Sequence, residues 1–306
     1  MKAVFIERFG GPEVLTYGDQ PDPVAEPGQV VVDVAAASVN GADWRVRAGQ
    51  YGNAKFPLIL GRDFSGAVSA AAADVSGLKV GDPVFGVLEA GREGAYAEQL
   101  SIAAAIIAPK PAAMSHAEAA AVALTGLTAI ISIETTLKLQ RGETILIQGG
   151  AGGVASFAIQ LAKHIGARVI TTASAGNRDY VRGLGADQII DYNTQDFASA
   201  VSGCDAVFDT VGGEVAAKSF AVLRPGGRAA FIASGPTAPK PERSDVTSLR
   251  PAVGRSRPPL ERIGQLVAAG AVRPPDIQLF PLSQAAEAHR ISEGRHFRGK
   301  LVFQVR

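Results

Sequence analysis

The stretch Thr144–Arg178, "TILIQGGAGGVASFAIQLAKHIGARVITTASAGNR", limits the fold more than any other part of the chain. A short apolar run ends in a burst of glycines, a helix-like pattern follows, and a β-branched run closes the unit. That order predicts strand, turn, helix and strand, and strands joined by a crossover helix lie parallel in one sheet. Within the turn, Gly150-x-Gly152-x-x-Ala155 has the G-x-G-x-x-G/A form, placed where a strand ends and a helix begins. Glycines permit a tight turn and let backbone approach a pyrophosphate closely. The first N–H groups of the helix lack an internal partner, and the helix dipole is positive there. The small Ala155 allows helix and strand to pack closely. Gly150, Ala151, Gly152, Gly153 and Val154 are therefore the candidate pyrophosphate cradle.

The end of the second strand chooses the cofactor. A nicotinamide dinucleotide without a 2′-phosphate is usually held there by an Asp or Glu that bonds the ribose 2′-hydroxyl. No acid occurs between Gly166 and Asp179; Ser174, Asn177 and Arg178 follow the strand instead. A 2′-phosphate suits hydroxyls, an amide and a cation, and a carboxylate would repel it. NADPH is therefore expected over NADH.

The rest of the chain divides around this unit. The first third reads as short strands with Gly/Pro turns ("KAVFIE", "QVVVDVAAASVN", "LILGRDFSGAVSAAA", "VGDPVFGV"), which predicts a compact β-barrel-like unit. Near Ser115 the pattern changes. Ser115 and Glu118 form a capping-box signature ahead of a long apolar helix. Strands and helices then alternate through "ETILIQG", "RVITTA", "QIIDY", "CDAVFDTVG" and "GRAAFIAS", the pattern of a doubly wound parallel sheet. A Pro-rich loop, a helix at "PLERIGQLVAAG" and a last strand at "GKLVFQVR" complete the chain. The domain boundaries read as 1–122 with 255–306 for the barrel unit and 123–254 for the dinucleotide unit.

Several classes are set aside by composition. With 47% hydrophobic and 19% charged residues over 306 positions, the chain can bury a core. Its formal net charge is +1 and no basic run stands out, so no nucleic-acid partner is expected. The apolar stretch from Ala117 to Ile133 is interrupted by Glu118, Thr125, Gly126 and Thr128, which predicts a buried helix and not a membrane span. Cys204 is the only cysteine, which fits a reducing compartment. The N-terminus is charged within its first eight residues and lacks the apolar core of an export signal, so a cytoplasmic protein is expected.

A series of motifs in one order carries a resemblance that covers nearly the whole chain: "GGPEVL", "SVNGADWRVRAGQY", "LGRDFSGAV", "VGDPVFG", "GLTA", "GGAGGVAS", "LGADQIIDY", "FDTVGG", "LRPGGR", "FPLSQAAEAHR" and "RGKLVF". The chain resembles zinc-independent members of the medium-chain dehydrogenase/reductase superfamily, in the quinone oxidoreductase group. The resemblance implies a GroES-like β-barrel catalytic domain around a Rossmann domain, with the cofactor in the cleft between them. It implies that Asn40 lines the nicotinamide and substrate pocket. It further implies that Thr128, Gly152, Gly153, Val154, Ser174, Arg178, Tyr192 and Val211 bind cofactor, with Tyr192 at the adenine ribose phosphate end. Ala233 and Ser234 are expected to face the nicotinamide. A homodimer is expected through an edge strand near Asp245–Val253.

The departures from the zinc enzymes of that superfamily inform as well. Those carry a Cys in the segment matching "NGADWR" and a His-Glu pair after the glycine of "LGRDFSG", where this chain has Arg62 and Asp63 after Gly61. Zinc needs three or four converging N, S or O ligands, and His116, His164, His289 and His296 are scattered. No metal is expected. The candidates for polarising a carbonyl are then Asn40 as amide donor and Tyr51 as hydroxyl donor, with Asp43 or Trp44 as wall residues. The substrate-facing loops are expected at Gly49–Phe56 and Gly235–Pro259. A quinone needs little acid help, so NADPH-dependent quinone reduction is the leading activity. Enoyl or 2-alkenal reduction of α,β-unsaturated carbonyls is the alternative. A non-catalytic NADPH-binding protein, crystallin-like or RNA-binding, is the alternative of another class.

Overall fold

The computed structural model describes residues 1–51 and 54–306. The chain forms two compact units. One comprises Met1–Leu124, Gly254–Ala268 and Pro274–Arg306; the other comprises Thr125–Val253 and Ala269–Arg273.

The first unit is a barrel-like assembly of mostly antiparallel strands, as its close-set turns predict. Its central strand, Gln29–Ser38, is rich in valine, which suits a pleated and buried surface. One of its edges pairs with Asp63–Ala71. The other pairs with Gln99–Ala103 along its first half and with Lys300–Gln304 along its second. Ile277–Pro281, a strand the sequence did not signal, runs parallel to Lys300–Gln304. A smaller sheet sets Lys2–Ile6 between Thr16–Asp19 and Leu58–Ile59. Val4, Ile6, Val30, Val32, Phe64, Leu100 and Phe303 are among the residues that fill the core of this unit.

A short helix, Gly41–Arg47, leaves the central strand through Asn40. It too was not predicted. Its start is fixed by Asp43, whose carboxylate accepts the Asn40 N–H at 2.8 Å, one arm of a capping box.

The long apolar helix begins as predicted. The Ser115 hydroxyl accepts the Glu118 N–H at 3.2 Å and the Glu118 carboxylate accepts the Ser115 N–H at 2.8 Å. α-Helix covers His116–Ile130, and a wider π-helical turn carries it on to Thr136. The helix is long and apolar enough to cross a membrane, yet 72% of its most apolar window is buried within the protein, which is how a core helix is covered.

The second unit is the doubly wound sheet. Its strands are β1 (Thr144–Ile147), β2 (Arg168–Ala173), β3 (Gln188–Asp191), β4 (Cys204–Asp209), β5 (Leu223–Phe231) and β6 (Thr247–Leu249). They lie in the order β3-β2-β1-β4-β5-β6, every neighbouring pair parallel. That is the dinucleotide-binding order, whose direction reverses between β1 and β4. Helix α1 (Gly153–Ile165) follows β1 and stops at Gly166, which takes a left-handed conformation. β6 is an outer strand within the stretch where the sequence places the edge. Leu146, Ile170, Ile190, Val207 and Phe231 bring the strands into one apolar core.

Candidate active site

All strands of the second unit run the same way, so their C-terminal ends share one edge of the sheet. The turn Gly149–Gly153 follows β1, Ser174 follows β2, Tyr192 follows β3, Val211 follows β4, and Ala233 and Ser234 lie just beyond β5. Predicted positions from five stretches far apart in sequence are thereby set along the edge where open α/β sheets take ligands.

The glycine turn is held from below by side chains that sequence reasoning missed. The Thr172 hydroxyl accepts the Gly149 N–H at 3.0 Å and donates to the buried Gln148 side chain at 2.8 Å. The Thr210 hydroxyl donates to the Gln148 carbonyl at 2.8 Å. A Cβ added at Gly150 would stand 2.3 Å from the Thr171 hydroxyl oxygen, so the turn presses on β2 where only glycine fits. Gly152 precedes α1 in extended conformation, and no side chain caps the helix.

Next to it, the buried Asp209 carboxylate accepts the backbone N–H of Val211 at 3.1 Å and of Gly212 at 3.0 Å. Burial raises its pKa against those two bonds. It shapes the turn after β4 and leaves the half-exposed Val211 at the rim.

After β2, the Asn177 amide donates to the Ser174 hydroxyl at 3.2 Å. Arg178 is exposed at the start of the next helix, and among the described residues it takes no ion pair; its neighbour Asp179 faces Arg182 at 3.6 Å. Tyr192 is half exposed. Thr128 is buried in the long helix, its carbonyl accepting the Ser132 hydroxyl at 2.7 Å. The Ser234 hydroxyl oxygen is buried with no partner among the described residues.

The barrel unit holds a different constellation. At its centre stands Asp63, fully buried. Its carboxylate accepts the Ser38 hydroxyl at 2.9 Å and the Asn40 amide at 2.9 Å. Lys300, buried in the last strand, donates to the Asn40 side-chain carbonyl at 2.8 Å and to the Val39 carbonyl at 2.7 Å. Asp43 accepts the Tyr96 hydroxyl at 2.6 Å and lies 3.7 Å from Arg62, which bonds Glu93 at 2.6 Å. Gly61 makes this possible. Its φ is +90°, and a Cβ there would fall 2.2 Å from the Tyr96 ring.

Burial dominates the electrostatics of this cluster. It raises Asp63 to about 6 although the Lys300 charge opposes it, and raises Glu93 to about 8 with help from the Asp43 charge. It pushes the Tyr96 hydroxyl well above its ordinary value and the Lys300 ammonium below its own.

This geometry departs from the expectation that Asn40 is an amide donor to an acceptor oxygen. One amide hydrogen goes to Asp63 and the other to the Ser38 carbonyl at 3.3 Å. The amide has no further hydrogen to give, and its orientation is fixed by Lys300 on the oxygen side. Tyr51 differs. It is 37% exposed, and its hydroxyl oxygen accepts from Arg45 at 2.8 Å, which leaves its own hydrogen to donate. Of the expected substrate-facing stretch Gly49–Phe56, Gly52 and Asn53 lie outside the described residues.

Among the described residues, no group of three or more His, Cys, Asp or Glu is arranged to hold a metal ion. His289 is buried against Arg47 at 3.2 Å, which with burial depresses its pKa to about 3. Cys204 is buried at the start of β4, its thiol pushed up to about 11 by burial and by Asp205.

Comparison with known proteins agrees with this architecture. Residues 26–112 match the alcohol dehydrogenase GroES-like domain, and residues 184–303 match the family described as zinc-binding dehydrogenase. The quinone oxidoreductase of Coxiella burnetii is 36% identical and superposes with a TM-score of 0.95, covering 100% of this chain and 99% of that one. The NAD(P)H oxidoreductase RTN4IP1 of Danio rerio is 31% identical over 100% of this chain and 91% of its own length. The NADPH-dependent alkenal/one oxidoreductase of Arabidopsis thaliana is 32% identical over 99% of this chain and 79% of its own. On the strand order, the glycine turn and these relatives together, the chain belongs to the medium-chain dehydrogenase/reductase superfamily, in its quinone oxidoreductase group.

Proposed function

We propose that the chain is an NADPH-dependent oxidoreductase that passes hydride to a quinone, with activated enones and alkenals as the second acceptor class. The observation that carries the cofactor reading is the open end of β2. Ser174, Asn177 and Arg178 stand there without a carboxylate, and the Arg178 guanidinium takes no ion pair among the described residues. A 2′-phosphate complements that set. The start of α1 fits the pyrophosphate, because its N–H groups meet no capping side chain. The orphaned Ser234 hydroxyl offers a further polar contact at the same sheet edge.

NADPH, when bound, supplies the hydride; the protein binds it, orients it and manages the proton. We assign to Tyr51 the proton or hydrogen bond given to a developing oxyanion; the reading is supported by its hydroxyl oxygen accepting from Arg45, which leaves its hydrogen to donate. A quinone yields an anion that is already stable and asks little of this group, whereas an enone asks more. The quinone reductase and the alkenal/one reductase among the relatives bracket these two acceptors.

Steady-state assays of quinones and enones with NADPH and with NADH test the reading. Arg178→Ala weakens NADPH binding about tenfold or more, since a charge-assisted bond contributes roughly 1.5–3 kcal/mol, and leaves NADH nearly unchanged. An equal loss for both cofactors would make Arg178 structural. Tyr51→Phe lowers kcat/KM for an enone about 10- to 100-fold, a barrier change of roughly 1.4–2.8 kcal/mol, and costs little with a quinone. If both reactions are untouched, the proton comes from water. Intact NADPH binding without turnover of any acceptor would overturn the enzymatic reading.

A further inference from the structure

Trp44, the only tryptophan of the chain, sits under two cations. The Arg45 guanidinium lies 5.1 Å from its ring centroid and the Arg295 guanidinium 5.7 Å. Arg45 also lies 5.8 Å from the Tyr51 ring and donates to the Tyr51 hydroxyl. Neither arginine meets a carboxylate among the described residues. The acids closest in sequence are engaged elsewhere: Asp43 takes Tyr96 and faces Arg62, and Glu293 is bonded to Arg47. Two like charges gathered on one indole repel each other, and stacking on the ring offsets that only in part. The arrangement is complete when an anion joins it, and a guanidinium matches the paired oxygens of a carboxylate, sulfonate or phosphate.

The backbone supports the same conclusion independently. Arg295 ends the helix Ala285–Gly294 in the left-handed region, at φ 55°. A side chain there is strained, a penalty glycine avoids. Gly294 stands one position earlier, so the chain places the bulky cation, and not the glycine, in the strained position. The chain leading to Tyr51 meets an aromatic ledge. Phe9 and Phe56 meet edge to face at 5.1 Å and are 40% and 37% exposed. Phe9 packs on Gly49, two residues before Tyr51.

We propose that Arg45 and Arg295, flanking Trp44, form an anion subsite that selects acceptors in which a flat ring carries an acidic group. This deepens the reading of the chain as a reductase of quinones and enones and rests on it for the word acceptor, but the binding itself can be measured apart from turnover.

The probes are 1,4-naphthoquinone and its 2-sulfonate. Fluorescence of Trp44, corrected for absorption, is titrated with each in the absence of cofactor. The sulfonate is expected to give saturable quenching that weakens with added salt; the neutral quinone is expected to saturate at higher concentration and without salt dependence. In turnover with NADPH, Arg295→Gln lowers the kcat/KM ratio of sulfonate to neutral quinone about fivefold. Arg295→Lys keeps part of the preference, and Arg295→Gly, which also relieves the strained backbone, loses it while the fold is retained. Equal saturation by both probes, or an unchanged ratio in Arg295→Gln, overturns the subsite. If neither quinone is reduced while the sulfonate still shows saturable, salt-sensitive quenching that Arg295→Gln abolishes, the subsite stands and the quinone reading falls.

Discussion

The two units meet polar chemistry in opposite ways. The sheet edge of the Rossmann unit relies on backbone: uncapped N–H groups at the start of α1, a glycine turn seated on Thr171 and Thr172, and few charges near them. The barrel unit buries charge. Asp43, Asp63, Arg47 and Lys300 are each at most 4% exposed, and Arg62 and Glu93 close the network around Asp43. Backbone dipoles are fixed by the fold and carry no penalty for lacking a partner side chain, provided a ligand or water reaches them. Buried charges hold their places only while each partner is present, because an isolated one is costly. The first arrangement should tolerate loss of one side chain, and the second should not.

The largest effect is therefore expected at Lys300. Lys300→Met removes the cation that holds the Asn40 carbonyl and offsets Asp63, and loss of one partner of a buried pair typically costs about 3–5 kcal/mol. Urea unfolding should show that loss, and adding Asp63→Asn should recover part of it. A double variant no more stable than the single one would mean the two charges are not coupled. Gly150→Ala comes next. Its new Cβ collides with the Thr171 hydroxyl, and overpacking of this kind costs about 1–3 kcal/mol. Thermal unfolding should reveal it, with Thr171→Ala restoring the loss, as a purely steric cause requires.

The smallest effect is a pH trend. Glu93, raised to about 8 from 4.5, favours folding while protonated; its contribution is whole below pH 4.5 and is lost as pH rises through about 8. Asp63 adds the same sign over pH 3.8 to about 6. Between pH 6.5 and 8.5 the melting temperature of the wild type should fall by a few degrees, and Glu93→Gln should flatten that fall. An unchanged slope in Glu93→Gln would place the titrating group elsewhere.

These expectations also explain what could be read in advance. The Rossmann fold and α1 were legible because strand, glycine turn, small Ala155, helix and second strand all lie within 35 consecutive residues. The barrel cluster was not. Ser38, Asn40, Asp63 and Lys300 meet only when the last strand pairs with the central one, and no local period records that pairing. Asn40 was named, but as a free donor. Its bonds to Asp63 and Lys300 reach across 23 and 260 residues of chain, beyond any sequence window. The helix Gly41–Arg47 did leave a signal, Asn40 followed by Asp43 at capping-box distance, though Asp in place of Glu or Gln weakens it. The strand Ile277–Pro281 is largely exposed along its length and leaves almost none.

The span from Asn40 to Lys300 also bears on how the protein is born. During synthesis the residues of the Rossmann unit emerge almost as one continuous piece, Thr125–Val253, with only Ala269–Arg273 to follow. Asp63 and Asn40 leave the ribosome long before the ammonium that completes their cluster. Until Lys300 arrives, the barrel contains a carboxylate with no cation to offset it, and the central strand lacks the partner along its second half. A nascent or truncated chain without Lys300 therefore leaves the Asn40 side-chain carbonyl without its ammonium and the second half of the central strand without its partner.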